Sequence, residues 1–390
     1  MDDQPPPQQP PPPAVAPPPL VPPPIIYAPP ARRQGTSPVW KILAIVFLAL
    51  LCLSLFSRAL TFSHAVSPRS RTFTDRTRTL EEVVLEQTNG DNKIAVITVD
   101  GIITDRDVDR SSMNLVDFIS EQLKTAERDK DVKAVILKVD SPGGEVLASD
   151  EINTAIRKFQ HEARKPVVAS MGALAASGGY YIAAPCRWIV ANDLTITGSI
   201  GVIIDTWNYR GLMDKVGIRP HVFKSGRFKD MLSGEREPDT DKLSPEEQKN
   251  RREEDQMVQS LIDETYNKFK AVVRTGRTDA AKENGGQGKA LAKDWEDYAD
   301  GRVLSGQRAL ALGFVDELGD FNAAVKRAET VSGISSASLV EYRVIVDFQS
   351  VLTHLFGRTE VPALKLDLGL APPQLEAGRP YYILPTAVLH

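Results

Sequence analysis

From residue 93 onward the chain alternates two hydrophobic rhythms, and that alternation limits the possible fold more than any other feature. Ile94-Ala95-Val96-Ile97-Thr98-Val99 and Val135-Ile136-Leu137-Lys138-Val139 are short apolar, β-branched runs. Turn residues close each of them, Asp100-Gly101 in the first case and Asp140-Ser141-Pro142-Gly143-Gly144 in the second. Pro166 to Met171 and Arg187 to Ala191 repeat the pattern. Between these runs lie residues at helical spacing, first Leu115, Ile119 and Leu123, then Ile152, Ile156 and Phe159. Apolar strands separated by amphipathic helices predict an α/β body with a parallel sheet and crossover helices. A long helix is expected from about Pro245 to Thr275, with Met257, Leu261, Ile262, Tyr266 and Phe269 as a buried stripe. Its charged run, Glu246, Glu247, Arg251, Arg252, Glu253 and Glu254, reads as a solvated face. A shorter helix enters at Val303 to Ala309 and stops at Gly313.

The segment before this body is different. Of the 28 prolines, 15 fall within the first 30 residues. Such a stretch lacks backbone donors and favours extended polyproline II, so residues 1–38 read as a disordered tail or a docking site for a proline-binding module. Val39 to Phe56 then forms an almost unbroken apolar run of 18 residues, the short end of a bilayer span. Trp40 and Lys41 suit the interface. A run apolar on all faces and flanked by polar sequence argues against a buried core helix, and its start some 40 residues in argues against a cleaved signal. Residues 39–57 are therefore expected to be a single N-terminal transmembrane anchor, followed by a 58–92 linker, the α/β domain at 93–335 and a 336–390 C-terminal extension. Arg32, Arg33 and Lys41 precede the run while Arg58, Arg69, Arg71, Arg76 and Arg78 follow it, so charge does not fix the orientation.

Net charge is −4, which gives no sign of a nucleic-acid partner. Cys52 lies in the apolar run, so a disulfide with Cys186 is not expected. Two cysteines and five scattered histidines leave no metal-ligand spacing, and neither a metal nor a cofactor is expected. Asn284-Gly285-Gly286-Gln287-Gly288-Lys289 lacks the spacing and the preceding strand of a phosphate loop.

Reactive groups in α/β proteins sit where strands run into glycine turns. One such turn is Asp140 to Gly144. The other is Ala176-Ser177-Gly178-Gly179-Tyr180-Tyr181, where a lone serine stands before a helix-compatible segment. Local sequence favours Ser177 as a helix N-cap. Two glycine turns together raise the alternative of a nucleophile, because an oxyanion hole needs converging N–H donors, here Gly178 with Gly143 or Gly144. A serine nucleophile needs a base, and no histidine occupies a comparable turn. A lysine can substitute if it is neutral, which requires lowering its pKa from ~10.4 by burial or a neighbouring cation. Lys224 and Lys229 are the candidates, and composition does not choose between them.

Asp140-Ser141-Pro142-Gly143-Gly144, Ala176 to Tyr181, Thr197-Gly198-Ser199-Ile200-Gly201-Val202 and Lys224-Ser225-Gly226-Arg227-Phe228-Lys229-Asp230 resemble the signal peptide peptidases of the protease IV type. Asp300-Gly301-Arg302-Val303 and Gly313 to Gly319 extend the resemblance, which spans about 95 to 335 in order. It implies a crotonase/Clp-like spiral of strand–helix units. It implies Ser177 as nucleophile, Lys229 as general base, Ser199 as the residue orienting the lysine, and Gly144 and Gly178 as oxyanion-hole donors. With one catalytic body, the chain resembles the half-length members, which form homo-oligomeric rings where serine and lysine meet across a subunit boundary. The resemblance further implies apolar, unfolded peptide substrates such as cleaved signal peptides, and a membrane-bound protein with its catalytic domain outside the cytoplasm. A crotonase-type acyl-CoA enzyme and an inactive membrane scaffold are the alternatives. Tyr381-Tyr382-Ile383-Leu384-Pro385 is a candidate to lie in an apolar groove as a pseudo-substrate.

Overall fold

The apolar runs become the centre of one sheet. The computed structural model describes residues 80–105, 113–344 and 381–383. Its elements are β1 (Leu80–Glu86), β2 (Lys93–Asp100), α1 (Leu115–Arg128), β3 (Val132–Ser141), β4 (Gly143–Glu145), α2 (Val146–Ala163), β5 (Val167–Ala176) and α3 (Gly178–Ala183). There follow β6 (Trp188–Ala191), β7 (Ile196–Gly198), α4 (Arg210–Lys215), α5 (Pro245–Glu283), β8 (Val303–Ser305), α6 (Gly306–Leu312), β9 (Glu317–Leu318), α7 (Phe321–Ser332), β10 (Ser338–Val344) and β11 (Tyr381–Ile383).

Among the described residues nine strands form the main sheet, in the order β1-β10-β2-β3-β5-β6-β9, with β7 paired to β5 and β8 to β7. Every pair from β10 to β9 along that path is parallel, as is β5 with β7. The edge strand β1 and the β7–β8 pair are antiparallel. The expected parallel sheet is thus present within a mixed one. Alternate residues of β2 enter opposite cores: Ala95, Ile97 and Val99 face the larger cluster with α1 and α2, while Ile94 and Val96 face the smaller one with α7. Burial on both faces explains the continuous apolar runs, each fully buried Val, Ile or Leu contributing about 1.5–3 kcal/mol.

The long helix runs further than its periodicity suggested. Ser244 and Glu247 form a capping box and Pro245 opens the first turn, as a strong helix start requires. Near its end, Arg277 is buried, pairs with the buried Asp316, and donates to the carbonyls of Ala184 and Cys186 at 3.4 and 3.1 Å. That ties α5 to the end of α3. The face read as solvated is only partly so. Glu254 is 2% exposed, accepts from Leu232 N at 2.9 Å and pairs with Arg236, because the segment before the helix folds back over it.

Leu80–Glu86, inside the stretch expected as linker, is a strand against β10, and both β10 and β11 lie within the expected C-terminal extension. The apolar run 39–57 lies outside the described residues. Among the described residues no helix is long and apolar enough to cross a membrane.

Candidate active site

Two sheet neighbours bring the glycine turns together. β3 and β5 are adjacent and parallel, and Ser141 is in register with Ala175, so both turns leave the same end of the sheet side by side. Gly179 closes the distance: a Cβ there would stand 2.8 Å from the Ser141 carbonyl oxygen, so only glycine lets α3 pack against the first turn.

Ser177 occupies the corner between β5 and α3 with φ 54° and ψ −118°, a region that a residue with a Cβ adopts only at a cost. Its N–H donates to the Gly198 carbonyl at 2.8 Å and its carbonyl accepts from Tyr181 N at 2.8 Å. The backbone is thereby held from both sides. Its side chain makes no capping bond to the helix, so the N-cap role favoured by local sequence is not the one it performs. A strained strand-to-helix turn with an uncommitted hydroxyl is the arrangement of a nucleophile elbow. The helix behind it is wholly buried. Tyr180 donates to Phe314 O at 2.9 Å and Tyr181 to Asp150 at 2.6 Å, and burial pushes the Tyr180 phenol above its ordinary value. Burial likewise pushes the Cys186 thiol up to about 12, so it offers no competing nucleophile.

β7 pairs with β5 through Ala176 and Gly198, which sets Ser199 beside Ser177 at the strand ends. Ser199 is also at positive φ, 51°, is buried, and donates its N–H to Arg302 O at 2.8 Å. Arg302, in the Asp300-Gly301-Arg302-Val303 segment, is the support that a reading of strand ends alone passes over.

In the first turn, β4 bonds on one side to Ile103, with Ile103 N donating to Gly143 O at 2.9 Å and Glu145 N donating to Ile103 O at 2.8 Å. Backbone groups of alternate residues point to opposite sides of a strand, so the Gly144 N–H is turned away from Ile103 toward the other edge. A Cβ on Gly144 would meet the Ile103 carbonyl oxygen at 1.9 Å, which gives this glycine a packing reason as well. At Gly178, the N–H opens α3 and has no partner inside the helix.

The lysines part company. Lys224 Nζ is committed to Asp230 at 2.8 Å, and none of the described hydrogen bonds or ion pairs involves the side chain of Lys229. Lys229 is exposed, whereas Ser177 is 1% exposed. Within one copy, then, Ser177, Ser199 and the two glycine turns are brought together, and Lys229 is left in solvent.

Residues 159–335 match the family model described as peptidase family S49. A protein of Synechocystis sp. named as a protease is 39% identical over 65% of this chain and 82% of its own length. One of Enterococcus faecium, named as a signal peptide peptidase SppA, is 34% identical over 68% of this chain and 71% of its own. The chain belongs to peptidase family S49. A third family relative, Protease 4 of Haemophilus influenzae, is 36% identical over 63% of this chain but only 36% of its own length.

Proposed function

We propose that the chain is a membrane-anchored serine endopeptidase in which Ser177 and Lys229 form a nucleophile–base dyad. The observation that carries this reading is the Ser177 corner, a strained turn whose hydroxyl is not used as a cap and which lies beside a second glycine turn at the same end of the sheet. Neutral Lys229 takes the Ser177 proton as the hydroxyl oxygen attacks a peptide carbonyl. The Gly178 and Gly144 N–H groups stabilise the oxyanion, the leaving amine takes the proton, and water then releases the acyl group by the reverse transfers. Ser199, beside Ser177, holds the lysine amine.

The commitment of Lys224 to Asp230 favours Lys229 as the base. Exposure of Lys229 in a single copy fits a homo-oligomeric ring in which a neighbour desolvates the amine and carries it to the serine. The crotonase/Clp-like spiral follows from the same resemblance, with residues 39–57 as the anchor and the catalytic body outside the cytoplasm. Apolar, unfolded peptides in or beside the membrane, including signal-peptide remnants, are the substrates this placement suits.

The test is cleavage of an apolar signal-like peptide by the detergent-purified full chain. Ser177→Ala and Lys229→Ala should each lower kcat/KM by roughly 10³-fold or more, as for other members of a catalytic unit. Lys224→Ala should stay within a few-fold of the unaltered chain. If Ser177→Ala cleaves normally, this reading of the site is wrong and the acyl-CoA and scaffold alternatives take its place.

A further inference from the structure

Tyr181 is held at three points, two of them by side chains of α2. Its N–H donates to Ser177 O at 2.8 Å, its carbonyl accepts from Asn153 Nδ2 at 2.9 Å, and its hydroxyl donates to Asp150 at 2.6 Å. Asp150 and Asn153 stand three residues apart on α2, so both reach α3 from one face of the same helix. Tyr181 is fully buried and Asn153 is 2% exposed.

The sequence explains why one of these bonds must come from outside α3. A helical carbonyl accepts from the N–H four residues on, and for Tyr181 that residue is Pro185, which has no N–H. Asn153 supplies the missing donor. Asp150 fixes the far end of the same residue, and the Tyr181 ring packs edge-on against Phe269 of α5 with centroids 4.9 Å apart. Asp150 also pairs with the exposed Lys268 of α5 at 3.6 Å.

These ties matter because of where the two helices begin. α2 starts directly after Gly144-Glu145, and Ser149 Oγ donates to Glu145 O at 2.9 Å, which fastens its first turn to the first glycine turn. α3 starts directly after Ser177, with Gly178 as its first residue. The two proposed oxyanion donors, Gly144 and Gly178, thus belong to separate elements. Both N–H groups must stand about 2.7–3.1 Å from one oxygen, and a misplacement of about 1 Å can cost roughly 10²-fold in rate.

We infer that Asp150 and Asn153, acting through Tyr181, are positioning residues that set the spacing of the two oxyanion donors. The inference rests on the proposed function, since it concerns the geometry of that same site. Asn153 acts on the main chain of α3 and Asp150 on the tyrosine ring, each at one remove from the reacting atoms. Their effect falls on the transition state, where the oxyanion exists, and spares the bound substrate.

The test compares detergent-purified full chains carrying Tyr181→Phe, Asn153→Leu, Asp150→Ala or Asp150→Asn with the unaltered chain. Phenylalanine keeps the ring and removes the hydroxyl tie, leucine keeps the shape of asparagine without its donor, and Asp150→Asn keeps an oxygen to accept from Tyr181. Each is measured for kcat and KM on an apolar reporter peptide, and for Ki of a peptide boronate of the same sequence. The boron binds the serine oxygen and becomes a tetrahedral anion, so its affinity reads the oxyanion donors. Tyr181→Phe, Asn153→Leu and Asp150→Ala should lower kcat at least fivefold with KM within twofold, and raise the boronate Ki by a similar factor. Asp150→Asn should recover to within twofold. Lys268→Ala, which removes the ion pair and leaves the Tyr181 bond, should match the unaltered chain. Circular dichroism shows which variants are folded, and Tyr181→Phe decides the matter if Asn153→Leu is not. Folded variants that keep both kcat and boronate affinity overturn the inference. A fall in kcat with an unchanged boronate Ki also overturns it, because that pattern means fewer intact molecules and not a looser hole. An unaltered chain that neither cleaves nor binds the boronate is a different result: the peptidase reading itself fails and takes the inference with it.

Discussion

Ser177 holds a backbone conformation that costs on the order of 1–3 kcal/mol for a residue with a Cβ. The sheet and helix on either side impose it, through Gly198 O and Tyr181 N, and the hydroxyl is not spent on capping the helix it precedes. Glycine would adopt φ 54° without that penalty, although its freer unfolded chain offsets about 0.5–1 kcal/mol. Ser177→Gly should therefore stabilise the fold by about 1 kcal/mol, or ~2–4 °C in Tm for a body of this size. Ser177→Ala keeps the strain and should melt with the unaltered chain, while both variants lose peptidase activity. Thermal unfolding followed by circular dichroism reads the difference. If the glycine variant melts no higher than the alanine one, the turn is not storing strain and the elbow reading loses its main support.

At the scale of elements, the segment carrying Lys229 is shaped by ionic clasps. Asp230 accepts from Lys224 at 2.8 Å and lies 3.8 Å from Arg236, which in turn pairs with Glu254 on α5. Burial alone would raise the Asp230 carboxyl, but the Lys224 hydrogen bond and the Arg236 charge outweigh it and hold it below the ordinary range. A depressed carboxylate stabilises the fold fully above its unfolded value of about 4 and loses that contribution as pH falls through the lower folded value. Hydrogen exchange in residues 224–236, corrected for intrinsic rates, should be flat from pH 7 to 5 and rise only below about 4. Asp230→Asn should exchange fast across the whole range, and a pH-independent pattern in both chains would show that the clasp is idle. This clasp was not legible beforehand. Glu254 sits in a charged run whose spacing says helix and solvent, and only the fold-back of the preceding segment buries it. The four central strands were legible because both faces are buried, which leaves no polar alternation to confuse the pattern. β4, β7 and β9 are two or three residues long and have no period to read, while β1 has only intermediate and exposed positions along an edge. Ser177 and Gly178 announce themselves as a serine and a glycine beside a strand end. The pairing of β4 with β11 spans more than 230 residues, which local sequence does not encode.

For the whole molecule, the decisive contrast is between a buried Ser177 and an exposed Lys229. Before that lysine in the sequence, residues 207–223 keep large apolar side chains in solvent: Trp207 is 75% exposed, Leu212 64%, Val216 61% and Phe223 86%. Scattered exposure of single apolar residues is ordinary, but a concentration of this kind marks a surface that meets another molecule. A second copy that covers it would desolvate Lys229 and present it to a serine not its own. Co-expression of the full chain carrying Ser177→Ala with the full chain carrying Lys229→Ala tests this directly, because each variant alone is inactive. In a closed ring of randomly mixed subunits, about a quarter of the sites combine an intact serine from one copy with an intact lysine from its neighbour. Peptidase activity should therefore return to roughly that fraction of the unaltered level, and fall again when the complex is diluted below its assembly concentration. Phe223→Glu in both chains should lower the assembled mass by light scattering and abolish the recovery together. Were serine and lysine to meet within a single copy, no mixture of the two would contain a complete site. Zero recovery from a complex that demonstrably contains both variants thus excludes the shared site and leaves Lys229 to reach Ser177 by a rearrangement within its own chain.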